Sequence, residues 1–180
     1  MTSYPNICVY CASSNRVDSK YLELSSNVGD FIASSGRKLV YGGGHVGLMG
    51  VAADAVLNKG GDVIGVIPQC LMDREVAHKG LTELHTTSTM QERQQMMADL
   101  SDAFIVLPGG LGTLAEFFEI ITWRHLGIHD KPVFVLNAFG YWNSLLEMLE
   151  KVGDEGFLYK DLSELFIVFD TLEDLQEYLP

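Results

Sequence analysis

Short apolar runs alternate with longer mixed segments along the whole chain. The runs at 6–11, 38–41, 63–67, 103–107, 132–136 and 166–169 are four to six residues long and rich in Val, Ile, Leu and Phe. They lack a polar face, which is the pattern of strands covered on both sides in a parallel sheet. Between them lie stretches with helical spacing at 18–35, after Gly47 to about 59, and at 89–100, 113–126, 141–152 and 172–178. Strand and helix in strict alternation predict an α/β fold: a doubly wound parallel sheet with right-handed crossovers and helices on both faces. Residues 68–89 break the rhythm with an irregular segment holding only a brief strand-like stretch at 83–86, which suits a cover over a ligand. With 180 residues and no repeat or linker, the chain reads as one domain, 1–180.

The stretch AFIVLPGGLGTLAEFFEIITWRHL, residues 103–126, joins a buried strand, a glycine turn and a helix. Pro108 stops the strand, and Gly109, Gly110 and Gly112 leave no Cβ between the backbone amides and a ligand. The first amides of a helix have no internal partners and sit at the positive end of its dipole, so the turn is a ready site for an anion such as phosphate. Thr113 opens the helix in this reading, and Glu116 lies one turn in, beside the anion. Thr113-Leu114-Ala115-Glu116 also has the form of a capping box. That alternative accounts for Thr113 and Glu116 but not for three glycines and a proline.

Two further turns follow strands. Ser13 and Ser14 follow the first, where open α/β sheets bind ligands outside the carboxyl ends of their strands. They are candidates for hydroxyl contacts, with ordinary turn and cap roles as the alternative. Gly42-Gly43-Gly44-His45-Val46-Gly47 satisfies G-x-G-x-x-G formally, but it follows the second strand, and Asp62 precedes the next strand when it should end it. Gly43 and Gly44 are therefore read as part of a second turn facing the same crevice, near sugar or phosphate. No Gly-Lys-Ser/Thr marks a P-loop.

The helix at 113–126 carries Leu114, Phe117, Phe118, Ile120, Ile121, Trp123 and Leu126 around most of its circumference. A helix flanking a sheet buries one stripe, so the extra apolar face predicts a homodimer, with the 89–100 helix as a second contributor. Net charge is −12, and residues 141–180 hold ten Asp or Glu against Lys151 and Lys160. Such a surface repels a polyanion and argues against nucleic acid. An absent membrane-length apolar run and three cysteines, an odd number, suggest a cytoplasmic protein. Cys8 and Cys11 spell C-x-x-C within a strand, which points them to opposite faces as core residues. His125 and His129 have metal-pair spacing, but Gly127 falls between them, and no metal is expected.

PGGLGTLAE at 108–116 resembles the PGGxGTxxE signature of the lonely guy (LOG) family of cytokinin riboside 5′-monophosphate phosphoribohydrolases, some members of which have been labelled lysine decarboxylases. The resemblance extends to CVYCASS, YGGGHVGLMG, MQER at 90–93 and ITWRHLGIHDKP, covering nearly the whole chain. It implies a Rossmann-like domain that cleaves the N-glycosidic bond of AMP or N6-isopentenyl-AMP without metal or organic cofactor. By the same resemblance Arg93 and Glu116 are catalytic, while Glu75, Gly109, Gly110, Leu111, Gly112, Thr113 and Thr122 contact substrate. Departures from the family pattern are Ala12 for a frequent Gly, Gln94 for a frequent Lys and Leu111 for a common Tyr. An oxocarbenium-like sugar needs a carboxylate to stabilise it or to activate water, which suits Glu116, and the departing base needs help, which suits Arg93. Two other classes use similar turns: a carrier of a phosphorylated ligand, as some relatives of the fold carry the molybdenum cofactor, and an NAD(P) oxidoreductase, disfavoured by Asp62. Nothing marks a Schiff-base lysine for decarboxylation.

Overall fold

The computed structural model describes residues 4–72 and 76–179. Seven strands, β1 (Asn6–Tyr10), β2 (Lys38–Tyr41), β3 (Val63–Pro68), β4 (Glu83–Thr87), β5 (Ala103–Val106), β6 (Val133–Leu136) and β7 (Ile167–Phe169), form one parallel sheet in the order β4-β3-β2-β1-β5-β6-β7. The intervening helices are α1 (Ser19–Ser34), α2 (Gly47–Asn58), α3 (Met90–Asp99), α4 (Leu111–His125), α5 (Asn143–Asp154), α6 (Leu162–Leu165) and α7 (Leu172–Tyr178). The chain is a single α/β domain with helices on both faces.

Strand alternation sorts the core into two halves. Ile7, Val9 and Cys11 pack with α1, α2 and α7, whereas Cys8, Tyr10, Phe104 and Val106 pack with α3, α4, α5 and α6. Cys8 and Cys11 thus face opposite sides of the sheet, and both are free and buried. The short helix α6 was not evident in the sequence; four residues are too few to show a period, and a capping box of Asp161 with Glu164 starts it.

The strand order decides where a ligand can enter. β1 pairs with β2 on one side and β5 on the other, with Cys8 opposite Val40 and Phe104. The chain leaves β1 in one direction for β2, β3 and β4, then crosses back through α3 to β5. The loops after β1 and β5 therefore diverge, opening a crevice outside the carboxyl ends of these two strands. Among the described residues no helix is long and apolar enough to cross a membrane.

Candidate active site

The turn after β5 delivers α4 into this crevice. Gly110 is the N-cap residue and no side chain caps the helix, so α4 begins at Leu111, ahead of Thr113. Thr113 is the third helical residue, and the Thr113–Glu116 capping box expected as an alternative does not form. Each glycine of the turn has its own role. A Cβ on Gly109 would lie 2.1 Å from Thr113 Oγ1, so Gly109 lets the buried threonine fold back over the turn. Among the described residues nothing lies within 4 Å of a Cβ on Gly110 or Gly112, which leaves the helix N-terminus open on that side. Bare amides at the positive end of a four-turn helix favour an anion.

The glycine turn after β2 is built differently. The Gly47 amide donates to Asn15 Oδ1 at 2.8 Å, and the Met49 amide donates to the Ala12 carbonyl at 3.4 Å. A Cβ on Gly47 would lie 2.4 Å from the Ser14 nitrogen, so that glycine lets the two loops touch. The N-terminus of α2 is therefore engaged by the β1 loop. Gly43 faces Ile67 and Leu84, Gly44 bridges to Ala77, and neither is among the residues that line the cavity at the start of α4. Asp62 pairs with Lys38 at 3.2 Å, at the amino end of the sheet, opposite the edge where an acidic residue would meet a dinucleotide ribose. GGGHVG is accounted for by packing between loops.

Arg93 and Glu116 meet the α4 turn in one cavity of about 180 Å³, which Ser13, Gly110, Leu111, Gly112 and Thr113 also line. Arg93 enters from α3, whose start is fixed by Thr89, accepting from the Glu92 amide, and by Glu92, accepting from the Ser88 amide. Arg93 is 4% exposed, and its guanidinium donates through Nε to the Val66 carbonyl at 3.1 Å and through Nη2 to the Gly42 carbonyl at 2.9 Å. The arginine thus joins the ends of β2 and β3 to α3 and also lines the cavity. Glu116 enters from the second turn of α4 and is 9% exposed.

Cys11 also lines the cavity. Burial, and secondarily the Glu116 charge, push its thiol pKa well up. It stays protonated at neutral pH and is a poor nucleophile, which removes a covalent-thiol reading.

Glu75 lies outside the described residues. Thr122 is exposed on α4 beyond Glu116 and does not line this cavity. The site residues that sequence reasoning missed are Met49 and Cys11, which line the cavity, and Gly42, whose absent Cβ makes room for Arg93. Met49 falls in an apolar helical stripe and Gly42 in a run of glycines, so neither carries a separate signal.

Two histidine groups bear on metal binding. His129 Nδ1 accepts from the Lys131 amide and Nε2 donates to the Ile120 carbonyl, while His125 stacks on Tyr159, so the two rings have separate duties. The ligand atoms of His45, Asp54 and His78 lie within 4.8 Å of one another. His78 Nδ1, however, accepts from the Gly80 amide at 3.0 Å, which leaves the ring proton on Nε2, donated to Asp54 Oδ1 at 3.0 Å. A metal-bound histidine turns its other N–H toward an acceptor, the reverse of this arrangement. The group reads as a clasp between α2 and the segment before β4.

The uncapped start of α4, an arginine and a carboxylate at the switch point of a parallel sheet make a pocket suited to an anion-bearing small molecule. The family model described as "Possible lysine decarboxylase" matches residues 49–179. The chain is 44% identical over 183 residues to cytokinin riboside 5′-monophosphate phosphoribohydrolase LOG3 of Arabidopsis thaliana, covering 99% of this chain and 85% of that protein. It is 46% identical over 169 residues to the phosphoribohydrolase of Rhodococcoides fascians, covering 93% and 85%. Among solved structures, the molybdenum cofactor carrier protein of Chlamydomonas reinhardtii superposes with a TM-score of 0.72 at 22% identity, covering 97% of this chain and 94% of that one. At that identity the likeness speaks for the fold alone. The chain belongs to the LOG family of phosphoribohydrolases, which are N-glycosyl hydrolases.

Proposed function

We propose that this protein hydrolyses the N-glycosidic bond of an adenosine 5′-monophosphate, plain or N6-modified, to the free base and ribose 5-phosphate. The observation that carries this reading is the meeting of the uncapped α4 N-terminus with Arg93 and Glu116 in one cavity. The 5′-phosphate sits on the amides of Gly110, Leu111, Gly112 and Thr113. Ser13 contacts the phosphate or sugar from the β1 side. The ribose then lies against Glu116, whose carboxylate stabilises the cationic sugar or takes a proton from water as it attacks C1′. The C1′–N bond breaks, its electrons pass to the base, water's oxygen bonds to C1′, and the proton that water gives up ends on the base, so that free base and ribose 5-phosphate leave. Arg93 binds or polarises the nucleotide, and Glu75 holds a ribose hydroxyl or the water. No metal or organic cofactor is required by this chemistry.

A cavity of about 180 Å³ suits phosphate and ribose but falls short of the ~300 Å³ or more usual for whole drug-sized ligands. The base is therefore assigned to the 68–92 side and a partner subunit. A homodimer through α4 and α3 is supported by an open groove of about 690 Å³ between them, floored by Met96, Leu100 and Trp123, and by Phe118, 40% exposed. Gly43, Gly44 and Thr122, which lie outside the cavity, keep their proposed substrate contacts only through such a partner or a moved loop. Three free cysteines and the net charge of −12 support a cytoplasmic setting without nucleic acid.

The test is incubation of the purified protein with AMP and with N6-isopentenyl-AMP, without added metal, and separation of the products. Free base plus ribose 5-phosphate is expected, with loss of at least a hundredfold in Glu116→Gln at unchanged fold, on the scale of one acid–base group. Full turnover in Glu116→Gln would refute the role of the carboxylate. Tight binding with no product from either nucleotide would favour a carrier, the role named for the Chlamydomonas relative.

A further inference from the structure

The turn after β6 is built more elaborately than a connection requires. Asn137 Oδ1 accepts from the Trp142 amide at 2.8 Å, and its Nδ2 donates to Asn143 Oδ1 at 2.9 Å and to Asp170 Oδ1 at 3.0 Å. Phe139 within it holds a left-handed backbone at φ 61°, uncommon for an aromatic residue. These constraints present Tyr141. Its ring meets Tyr21 edge-on at 5.7 Å and Trp142 at 4.7 Å, and its hydroxyl donates to the Gly109 carbonyl at 2.7 Å.

That bond falls on the peptide that matters most to an anion. In a planar trans peptide the carbonyl of one residue and the N–H of the next point in opposite directions. With the Gly109 carbonyl held toward Tyr141, the Gly110 N–H is aimed the other way. Gly110, Leu111 and Gly112 line the cavity, and neither Gly109 nor Tyr141 does. Glycine on both sides of the peptide removes the Cβ atoms that ordinarily restrict rotation of its plane. The same glycines that let a phosphate approach would let this peptide turn over and present an oxygen to it.

We infer that Tyr141 is a positioning residue for the phosphate turn, its hydroxyl locking the Gly109–Gly110 peptide with the Gly110 amide presented to the 5′-phosphate. This rests on the proposed reading of the turn as a phosphate site. Locking the donor before the ligand arrives removes an ordering cost from binding. The residue touches no reacting atom, so its effect belongs to phosphate affinity and not to bond cleavage.

The test is Tyr141→Phe, which keeps the ring contacts and removes one oxygen. Inorganic phosphate is titrated into wild type and variant while the Gly110 amide is followed by NMR, and KM and kcat are measured for the nucleotide and the matching nucleoside. Phosphate binding about fivefold weaker in the variant is expected, the scale of one hydrogen bond. KM for the nucleotide should rise by the same factor, with kcat and nucleoside turnover unchanged. Equal phosphate affinity in the two proteins overturns the inference, as does an equal loss for nucleotide and nucleoside. A Gly110 amide that ignores phosphate in the wild type overturns the phosphate site itself, a separate result.

Discussion

Gly42→Ala separates the two roles open to Arg93, a catalytic cation or a structural tie. The backbone at Gly42 lies outside the left-handed region, so alanine meets no conformational penalty there. The obstacle is steric: a Cβ would lie 2.0 Å from Arg93 Nη2 and 3.1 Å from both Arg93 Cζ and Met49 Sδ. The guanidinium sits at the end of a flexible side chain, so it yields before the backbone does, by more than an ångström. It then loses the Nη2 bond to the Gly42 carbonyl and distorts the Nε bond to Val66. Hydrogen bonds from a charged group contribute about 1.5–3 kcal/mol each, and water in the cavity replaces part of that. A net loss of about 2 kcal/mol lowers the melting temperature by roughly 6 °C for a chain of this size. Activity should fall much further, about a hundredfold in kcat/KM, because a displacement of that size at a reacting centre costs on that order. Thermal unfolding and chromatographic rates on AMP and N6-isopentenyl-AMP are compared in the same preparation. A variant that melts lower yet keeps kcat/KM within about twofold would refute the reasoning, leaving Arg93 as a tie between β2, β3 and α3.

Stability should fall as pH rises above about 8.5, and more steeply beyond about 10, followed by denaturant unfolding at several pH values. Burial, with Glu116 contributing, raises the thiols of Cys8 and Cys11, and burial also raises the phenols of Tyr10 and Tyr41. The unfolded chain therefore releases these protons first, which favours it at high pH; a flat profile to pH 10 would contradict the burial. A thiol reagent at pH 8 should modify exposed Cys70 alone in the native protein and all three cysteines after denaturation, and rapid reaction at Cys11 would reopen a thiolate mechanism. Phe118→Glu on the exposed face of α4 should convert a dimer to a monomer in sedimentation. A wild type that sediments as a monomer would end the homodimer proposal.

The sheet, the helices and the position of the glycine turn ahead of α4 were legible because each leaves a local mark. Ala103–Val106 is wholly apolar, Asp18 and Thr89 cap helices, and the glycines after Pro108 stand beside a helix start. Boundaries slipped where caps were misread: α4 opens at Leu111 because a bare glycine serves as its cap, an absence that leaves no residue to recognise. The two glycine turns looked equivalent for the same reason. What separates them is Asn15, Ala12 and Ser14 lying against α2, contacts made across some thirty residues of sequence.

The sequence by itself determined the class of fold, the glycine turn ahead of a helix and, through resemblance, the choice of Arg93 and Glu116 as candidates, which the structure brings into one cavity. Periodicity, capping and glycine placement are properties of neighbours along the chain, and a reader of the chain sees them directly. Only the tertiary structure decided that the crevice lies between β1 and β5, that Gly42 makes room for Arg93, that Cys11 is a silent thiol beside Glu116, and that Tyr141 holds Gly109. Each of these depends on which strand ends lie side by side, and that order is set by the crossover from β4 back to β5, which no local pattern records.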